Sequence, residues 1–223
     1  MTRNLFTILC TTILLSGCAD KKEIERLTKL GEDLKQENRS LKVSLTKAQQ
    51  SRDRLDFLAT QLGGIQARIV TNRGNIEVRF FPDKAPLHCF SFITRAEGGF
   101  YDNTQFHRVV PGFMIQGGDP NSKDSDPRND GGGGPIVNIP HEFNDTRHTR
   151  GILSTARVGN KAVGAGSQFF LMHAPDPNLD GDYTVFGEVT SGMDVVDKIA
   201  TAERDGTDHP VKPVVIKTIE VYS

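Results

Sequence analysis

The hydrophobic and polar positions of the chain follow three different patterns. Residues 5–15 are mostly apolar and carry no charge. In residues 21–62 an apolar residue recurs at every seventh position within a charged background, and from Gln66 onward short runs alternate between apolar and polar. A seven-residue period is typical of a coiled-coil helix, and a two-residue period is typical of half-buried β-strands. The pattern therefore predicts a short apolar leader, a long helix and a β-rich domain.

The alternating part of the chain predicts mainly β structure with two helices. Two strands are expected around the turn Asn72-Arg73-Gly74, and helical spacing of apolar residues indicates helices at 85–99 and 192–200. Later strands are predicted at Ile152–Ala156, Gln168–Met172, Thr184–Val189 and Val214–Val221. Many strands, two helices and long glycine-rich loops together indicate a closed antiparallel barrel.

The helical stretch at 21–62 resembles a coiled coil with an imperfect seam. Its presumed d positions are Leu27, Leu34, Leu41, Ala48, Leu55 and Leu62. Asn38 at an a position can fix a parallel register, whereas Gly31 and Arg52 at a positions weaken the seam. As a straight helix the stretch would reach about 60 Å. Two interpretations stay open: a stalk that self-associates, and a solvated helix that only separates the domain from what precedes it.

The N-terminal apolar run is too short to span a bilayer as a mature helix, and Arg3 precedes it. Residues 1–17 therefore resemble a secretory signal. The sequence LSGC at residues 15–18 is similar to a bacterial lipobox, which implies cleavage before Cys18 and lipidation of its thiol. The alternatives are an ordinary signal peptide with an incidental cysteine, and an uncleaved anchor.

Charge and cysteine content narrow the function classes. The net charge is −1 and no basic cluster stands out, so nucleic acid is a poor candidate partner. If Cys10 leaves with the signal and Cys18 carries lipid, Cys89 is the cysteine that remains, and the mature chain makes no internal disulfide. We expect Cys89 to be a small buried hydrophobe rather than a reactive thiol.

The candidate chemistry is concentrated in FHRVVPGFMIQGGD, residues 106–119. An unpaired guanidinium is costly to bury, so Arg108 in this apolar run must have a partner or be kept for one. Alternation predicts two short strands joined at Pro111-Gly112. On such strands Arg108, Phe113 and Gln116 would line one cavity, and an apolar cavity with a few polar donors is the usual form of a ligand site.

This segment resembles the signature of cyclophilin-type peptidyl-prolyl isomerases. The likeness continues through GILSTAR (151–157), GSQFFLMHA (166–174) and LDGDYTVFGEV (179–189), and it spans residues 66–223. The resemblance implies a mainly β fold, a closed eight-stranded antiparallel β-barrel capped by two α-helices and preceded here by the long N-terminal helix. It also implies peptidyl-prolyl cis-trans isomerase activity on proline-containing polypeptides, with no cofactor and no metal.

The resemblance also implies the role of each site residue. Arg108 matches the catalytic arginine, which would stabilise the twisted imide of an X-Pro bond in the transition state. Phe113, Met114, Phe170 and Leu179 match the apolar proline pocket, and Tyr183 falls where many members have histidine. Gln116 and Gln168 match site-lining amides, of which Gln116 orients the substrate backbone, while Ala156 and Arg157 match the edge that pairs with the peptide. For His107, Phe169 and Phe186 we expect core positions instead.

Two segments depart from the family pattern. Asn178 stands where the members best known for binding cyclosporin have tryptophan, which predicts weak cyclosporin binding with isomerisation retained. The loop between Arg157 and Ser167 is longer than in compact members, which leaves the role of Arg157 open.

Residues 121–134, rich in aspartate and glycine, lack the spacing of a calcium loop and are expected to form a mobile acidic loop near the site.

The predicted organisation is a signal peptide at 1–17, lipid attachment at 18–20, a stalk at 21–62, a flexible joint at 63–65 and the isomerase domain at 66–223. The predicted function is isomerisation of X-Pro bonds in unfolded or extended envelope proteins. The alternatives are a tethered peptide-binding chaperone or adaptor, and a scaffold whose stalk is the purpose. The predicted location is the bacterial envelope, lipid-anchored, with the outer membrane facing the periplasm favoured in a Gram-negative cell because Ala19 follows Cys18.

Overall fold

The computed structural model describes residues 21–135 and 137–223. The predicted signal peptide and lipidation at Cys18 lie outside these residues. Three α-helices occur in the described ranges: α1 Lys21–Gln61, α2 Pro86–Glu97 and α3 Met193–Ala200. The same ranges hold eight strands: β1 Gln66–Thr71, β2 Gly74–Phe80, β3 Arg108–Val110, β4 Met114–Gly117, β5 Ile152–Arg157, β6 Ala165–Met172, β7 Val185–Ser191 and β8 Ile216–Tyr222. None of the helices described is long and apolar enough to cross a bilayer.

The chain divides into two compact units, Met1–Asp53 and Arg54–Ser223. The described part of the first unit is helical, and its larger apolar side chains, including Ile24, Leu34 and Leu41, are exposed. In the second unit, Leu58 and Leu62 pack against the core of the β domain. The last turn of α1 is therefore part of the folded domain.

The eight strands form one antiparallel sheet in the order β3-β4-β6-β5-β7-β2-β1-β8. The predicted hairpin at Asn72-Arg73-Gly74 is confirmed, since β1 and β2 pair from Thr71↔Gly74 outward. The mainly β prediction with eight strands and two domain helices is also confirmed. Within the described ranges β3 and β8 form no ladder with each other and are linked near an isolated bridge between Gln105 and Val215, so full closure of the barrel is not confirmed.

The core lies between the inner face of the sheet and α2. An aromatic cluster fills it, built from Phe80, Phe92, Tyr101, Phe106, Phe169 and Phe186. Phe169 and Phe186 are 1% exposed, as predicted for core residues. Cys89 on α2 is buried in the core, so the expectation of a small buried hydrophobe is confirmed, and burial raises the pKa of its thiol to about 12.

Residues 141–146 cross the end of α2 as a strap that is held largely by side chains. Ala85 precedes the helix and has no capping side chain. Instead the Glu142 carboxylate accepts hydrogen bonds from the backbone N–H groups of Leu87 (3.1 Å) and His88 (3.0 Å), and it lies 2.6 Å from Nδ1 of His88. The carboxylate thus caps the first turn of α2 from a distant part of the chain.

Candidate active site

Local strand geometry brings the polar residues of the 106–119 segment together. Arg108 on β3 stands directly opposite Gln116 on β4, so both side chains project from the same face. The strands are joined by a turn in which Phe113 N–H donates to Val110 O, and Gly112 adopts φ 76°. Because Val109 is fully buried, Arg108 is placed on the outer face.

That outer face carries a cavity of about 150 Å³. The residues that line it are Arg108, Phe113, Met114, Gln116, Ala156, Arg157, Phe170, Leu179 and Tyr183. Nine of the ten residues predicted for the site therefore share one cavity; the tenth, Gln168, lies behind Gln116. The floor is apolar because Met114 and Phe170 belong to a small second core with Ile152, Met172 and Val185.

One wall of the cavity is a stack of rings. The rings of Phe170 and Tyr183 meet edge to face, with centroids 5.7 Å apart. Behind them His148 is buried, lying 6.0 Å from Phe170 and 6.4 Å from Tyr183 between ring centroids. Its Nδ1 is 3.0 Å from Asp180 Oδ1 and its Nε2 is 3.1 Å from Ser154 Oγ, which fixes the ring. These contacts hold the rings of this wall in place from behind.

Arg157 closes the rim of the cavity rather than lying free. Its guanidinium carbon is 4.5 Å from the centroid of the Tyr183 ring, and its Nε donates to Asp182 O at 2.8 Å. Lys161 forms an ion pair with the Asp182 carboxylate. These contacts tie the loop at 158–164 to the segment that carries Tyr183. The predicted role of Arg157 toward a peptide thus concerns a side chain that already has partners.

The amides of Gln116 and Gln168 form a short chain. Gln116 Nε2 donates to Gln168 Oε1 at 2.9 Å, and Gln168 Nε2 donates to the carbonyl oxygens of Gly131 (2.9 Å) and Gly133 (2.8 Å). Gln116 uses one of its two side-chain N–H groups in this way, and its side-chain oxygen remains able to accept a hydrogen bond in the cavity. Glycines 131–134 also line a neighbouring cavity of about 390 Å³ that shares Gln116, Ala156 and Arg157 with the first.

The acidic loop expected at 121–134 is partly ordered by its own hydrogen bonds. Asp119 caps a short 3₁₀ turn at Pro120–Lys123 and also accepts from Gly133 N–H at 3.0 Å. Asp130 pairs with His209 Nε2 at 3.0 Å. Across the described residues, no group of three or more histidine, cysteine or acidic side chains is arranged to hold a metal ion.

Arg108 is 44% exposed and its Nε lies 3.5 Å from Asp208 Oδ2. That contact is long for a salt bridge, and among the described residues no partner occupies the two terminal nitrogens of the guanidinium, which lines the cavity. Asp208 escaped the sequence analysis because it lies a hundred residues away and belongs to no recognised motif. His148, which packs against Tyr183, was not predicted either because it lies outside the four motifs, whereas Asp182 lies within the motif at 179–189 but was assigned no role.

His107 confirms the prediction of a core histidine. It is 5% exposed, and neither ring nitrogen has a hydrogen-bond partner among the residues described. Burial lowers the pKa of His107 because the imidazolium loses its hydration there. The ring is therefore less readily protonated in the folded domain than in the unfolded chain.

We therefore expect the domain to lose stability as the pH falls below about 6.5, where an unfolded histidine takes up a proton. A lowered folded pKa means that the unfolded chain binds more protons in this window, so the unfolding free energy must decrease with acidification, by at most about 1.4 kcal/mol per pH unit for one group. Urea unfolding of wild type and His107→Gln at about pH 7.5 and about pH 5.5 checks this. The variant should show the smaller pH dependence; equal dependence in both proteins contradicts the expectation.

Comparison with known proteins gives one consistent result. Residues 66–221 match the family model described as cyclophilin type peptidyl-prolyl cis-trans isomerase/CLD. The chain is 42% identical over 161 residues to the peptidyl-prolyl cis-trans isomerase-like 2 of Rhizopus delemar, covering 70% of this chain but 28% of that protein. It is 41% identical over 141 residues to a peptidyl-prolyl cis-trans isomerase of Synechococcus elongatus, covering 63% of this chain and 90% of that one. A Cryptosporidium parvum cyclophilin type isomerase, crystallised in the presence of the dipeptide Ala-Pro, superposes with a TM-score of 0.65 at 32% identity and covers 71% of this chain and 99% of its own.

Proposed function

The chain belongs to the family of cyclophilin-type peptidyl-prolyl cis-trans isomerases, and from that premise we propose that its β domain accelerates rotation about X-Pro bonds in unfolded or extended polypeptides. The observation that carries the proposal is the cavity itself. It combines a small apolar and aromatic pocket with the permanently charged Arg108, while the other arginine of the cavity, Arg157, already contacts Asp182 and Tyr183.

The reaction needs little chemistry from the protein. Amide resonance opposes rotation with a barrier of about 18–20 kcal/mol, while the two X-Pro ground states differ by only about 0.5–1 kcal/mol. In our proposal the pocket of Phe113, Met114 and Phe170 holds the proline ring, and a guanidinium N–H donates to the imide nitrogen as it becomes pyramidal. A planar imide nitrogen offers no lone pair, so this donor acts in the transition state alone and raises the rate.

The test is two-dimensional ¹H NMR exchange spectroscopy, which measures cis-trans interconversion of an X-Pro peptide in the presence of the wild-type chain. We expect cis-trans exchange far faster than the uncatalysed process, which takes tens of seconds or more. The rival function, a tethered peptide-binding chaperone, predicts line broadening from binding while the cis-trans exchange rate stays at its uncatalysed value. The second result would overturn the enzyme proposal.

We expect the domain to bind cyclosporin weakly. Asn178 takes the place of an indole donor with a large apolar face, and in the structure its amide is turned toward Asp176, with Nδ2 donating to Oδ1 at 2.8 Å. Titration of the purified chain with cyclosporin, read out by isomerase activity, checks this. An Asn178→Trp variant should gain affinity, and sub-micromolar inhibition of the wild type contradicts the expectation.

We further propose that the chain is a lipoprotein of the bacterial envelope, anchored through lipid on Cys18 after removal of residues 1–17. In a Gram-negative cell we favour the outer membrane, facing the periplasm, and envelope proteins as substrates. The LSGC sequence supports this, and the part of α1 up to Asp53 would separate the lipid from the domain. Mass spectrometry of the mature N-terminus, with Cys18→Ser as the control, tests it; an unmodified Cys18 would remove the anchor.

We also propose that α1 self-associates as a coiled coil. Support comes from Leu27, Leu34, Leu41 and Leu55, which recur at the heptad spacing and stay exposed on the single helix. Light scattering of residues 21–223 and 54–223 tests this, and the shorter piece keeps Leu58 and Leu62 in the domain core. A dimeric or larger mass is expected for the longer chain alone. If both are monomeric, the helix is a solvated spacer.

A further inference from the structure

We propose that Asp208 is the positioning residue for Arg108. The inference rests on the proposed function, since it assigns to Asp208 the orientation of the guanidinium that we propose to act on the imide. None of the four sequence motifs contains Asp208, and its contact with Arg108 joins residues that are a hundred positions apart.

The two residues meet through both side chain and backbone. Asp208 Oδ2 lies 3.5 Å from Nε of Arg108, and the backbone N–H of Val109, the next residue, donates to Asp208 O at 2.9 Å. The backbone bond fixes Asp208 relative to β3. The carboxylate therefore lies on the Nε side of the planar guanidinium, and the terminal nitrogen on the opposite side is left to point away from Asp208.

The turn that presents Asp208 is held from inside. One oxygen of Asp205, Oδ1, accepts from Thr207 N–H (2.8 Å), Thr207 Oγ1 (2.7 Å) and His209 N–H (3.1 Å). Asp208 itself adopts φ 67°, a left-handed conformation that aspartate and asparagine adopt more readily than other residues with a side chain.

A second cation keeps the carboxylate in place. Oδ1 of Asp208 lies 3.2 Å from Nε of Arg204, while Oδ2 faces Arg108. Asp208 is thus shared between two arginines, and its side chain is only 33% exposed. Because the contact with Arg108 is long, it orients the guanidinium without holding it in a tight ion pair that substrate would have to break.

The test uses two variants of the full chain that leave the backbone unstrained. Asn tolerates the left-handed conformation and is isosteric with Asp, and Gly has no side chain to strain. For both Asp208→Asn and Asp208→Gly we expect kcat to fall about tenfold. KM should change less than about twofold, because the donor acts in the transition state. Nitrogen-15 relaxation should show greater mobility of Arg108 Nε in both variants.

Asp194→Asn is the matched control, since it removes an exposed carboxylate that pairs with Lys198 at 2.8 Å on α3, outside the cavity. It should change neither kcat nor the mobility of Arg108. Wild-type kcat in both Asp208 variants, or a kcat loss with unchanged Arg108 Nε relaxation, overturns the inference. If Arg108→Ala itself leaves the rate unchanged, the proposed function fails instead, and the relaxation of Nε still decides whether Asp208 orients Arg108.

Discussion

Replacing Arg108 by alanine is expected to lower kcat/KM for X-Pro isomerisation by about 10²–10³-fold, the loss seen when one transition-state donor is removed from an enzyme. The pocket of Phe113, Met114 and Phe170 remains, so the variant should still bind proline peptides. The expected loss therefore lies in kcat more than in KM. Exchange spectroscopy over a range of peptide concentrations measures kcat and KM separately.

Two variants sharpen this expectation. Arg108→Lys keeps the charge but loses the planar fork, so it should recover only part of the rate. Arg73→Ala, in the exposed turn between β1 and β2, removes an arginine far along the chain from every residue of the cavity and should leave the rate unchanged. A rate for Arg108→Ala within twofold of wild type is incompatible with the proposed mechanism.

The second large effect concerns Gly118, at the end of the 106–119 segment. Its φ is 82°, and a Cβ there would lie 2.6 Å from Ser167 O and 2.8 Å from Cδ1 of Phe169. Backbone and a core ring cannot both move away without disturbing β6. We therefore expect Gly118→Ala to lose about 3 kcal/mol of unfolding free energy.

Gly112→Ala is the control for Gly118→Ala. Gly112 also has a positive φ, 76°, but a Cβ there would meet no atom within 4 Å. Gly112→Ala should lose only the unfolding free energy that the positive φ costs a residue with a Cβ, about 1 kcal/mol. Urea unfolding of the two variants measures the difference. Equal losses would mean that the contact with Phe169 and Ser167 has no energetic weight.

Local pattern was enough to predict most of the fold. Alternation around Asn72-Arg73-Gly74 located the first hairpin, and helical spacing ended by Gly98 located α2. These features depend on neighbouring residues, so a sequence contains them directly. How the sheet edges meet depends on pairing between residues 103–106 and 214–216, which no local pattern encodes.

The candidate site was likewise predicted only where local pattern or family resemblance specifies it. Arg108, Phe113 and Gln116 were predicted to share a cavity from the strand period alone, and they do. Resemblance to the family supplied the residues from the far side, such as Phe170 and Leu179. The partners of the site residues were not predicted, because they depend on loop conformations. Asp208, which adopts a left-handed backbone conformation, lies beside Arg108, and the Arg157 side chain lies over the Tyr183 ring.

The strap at 141–146 controls the solvent exposure of the first turn of α2. The amides of Leu87 and His88 lie in the first turn of α2, where no earlier helical carbonyl can accept from them, and the Glu142 carboxylate is their acceptor. We expect these two amides to become exposed to solvent when the strap detaches, while the rest of α2 stays folded. Deuterium uptake by the two amides should therefore report strap detachment separately from global unfolding, and the uptake should be faster in Glu142→Gln.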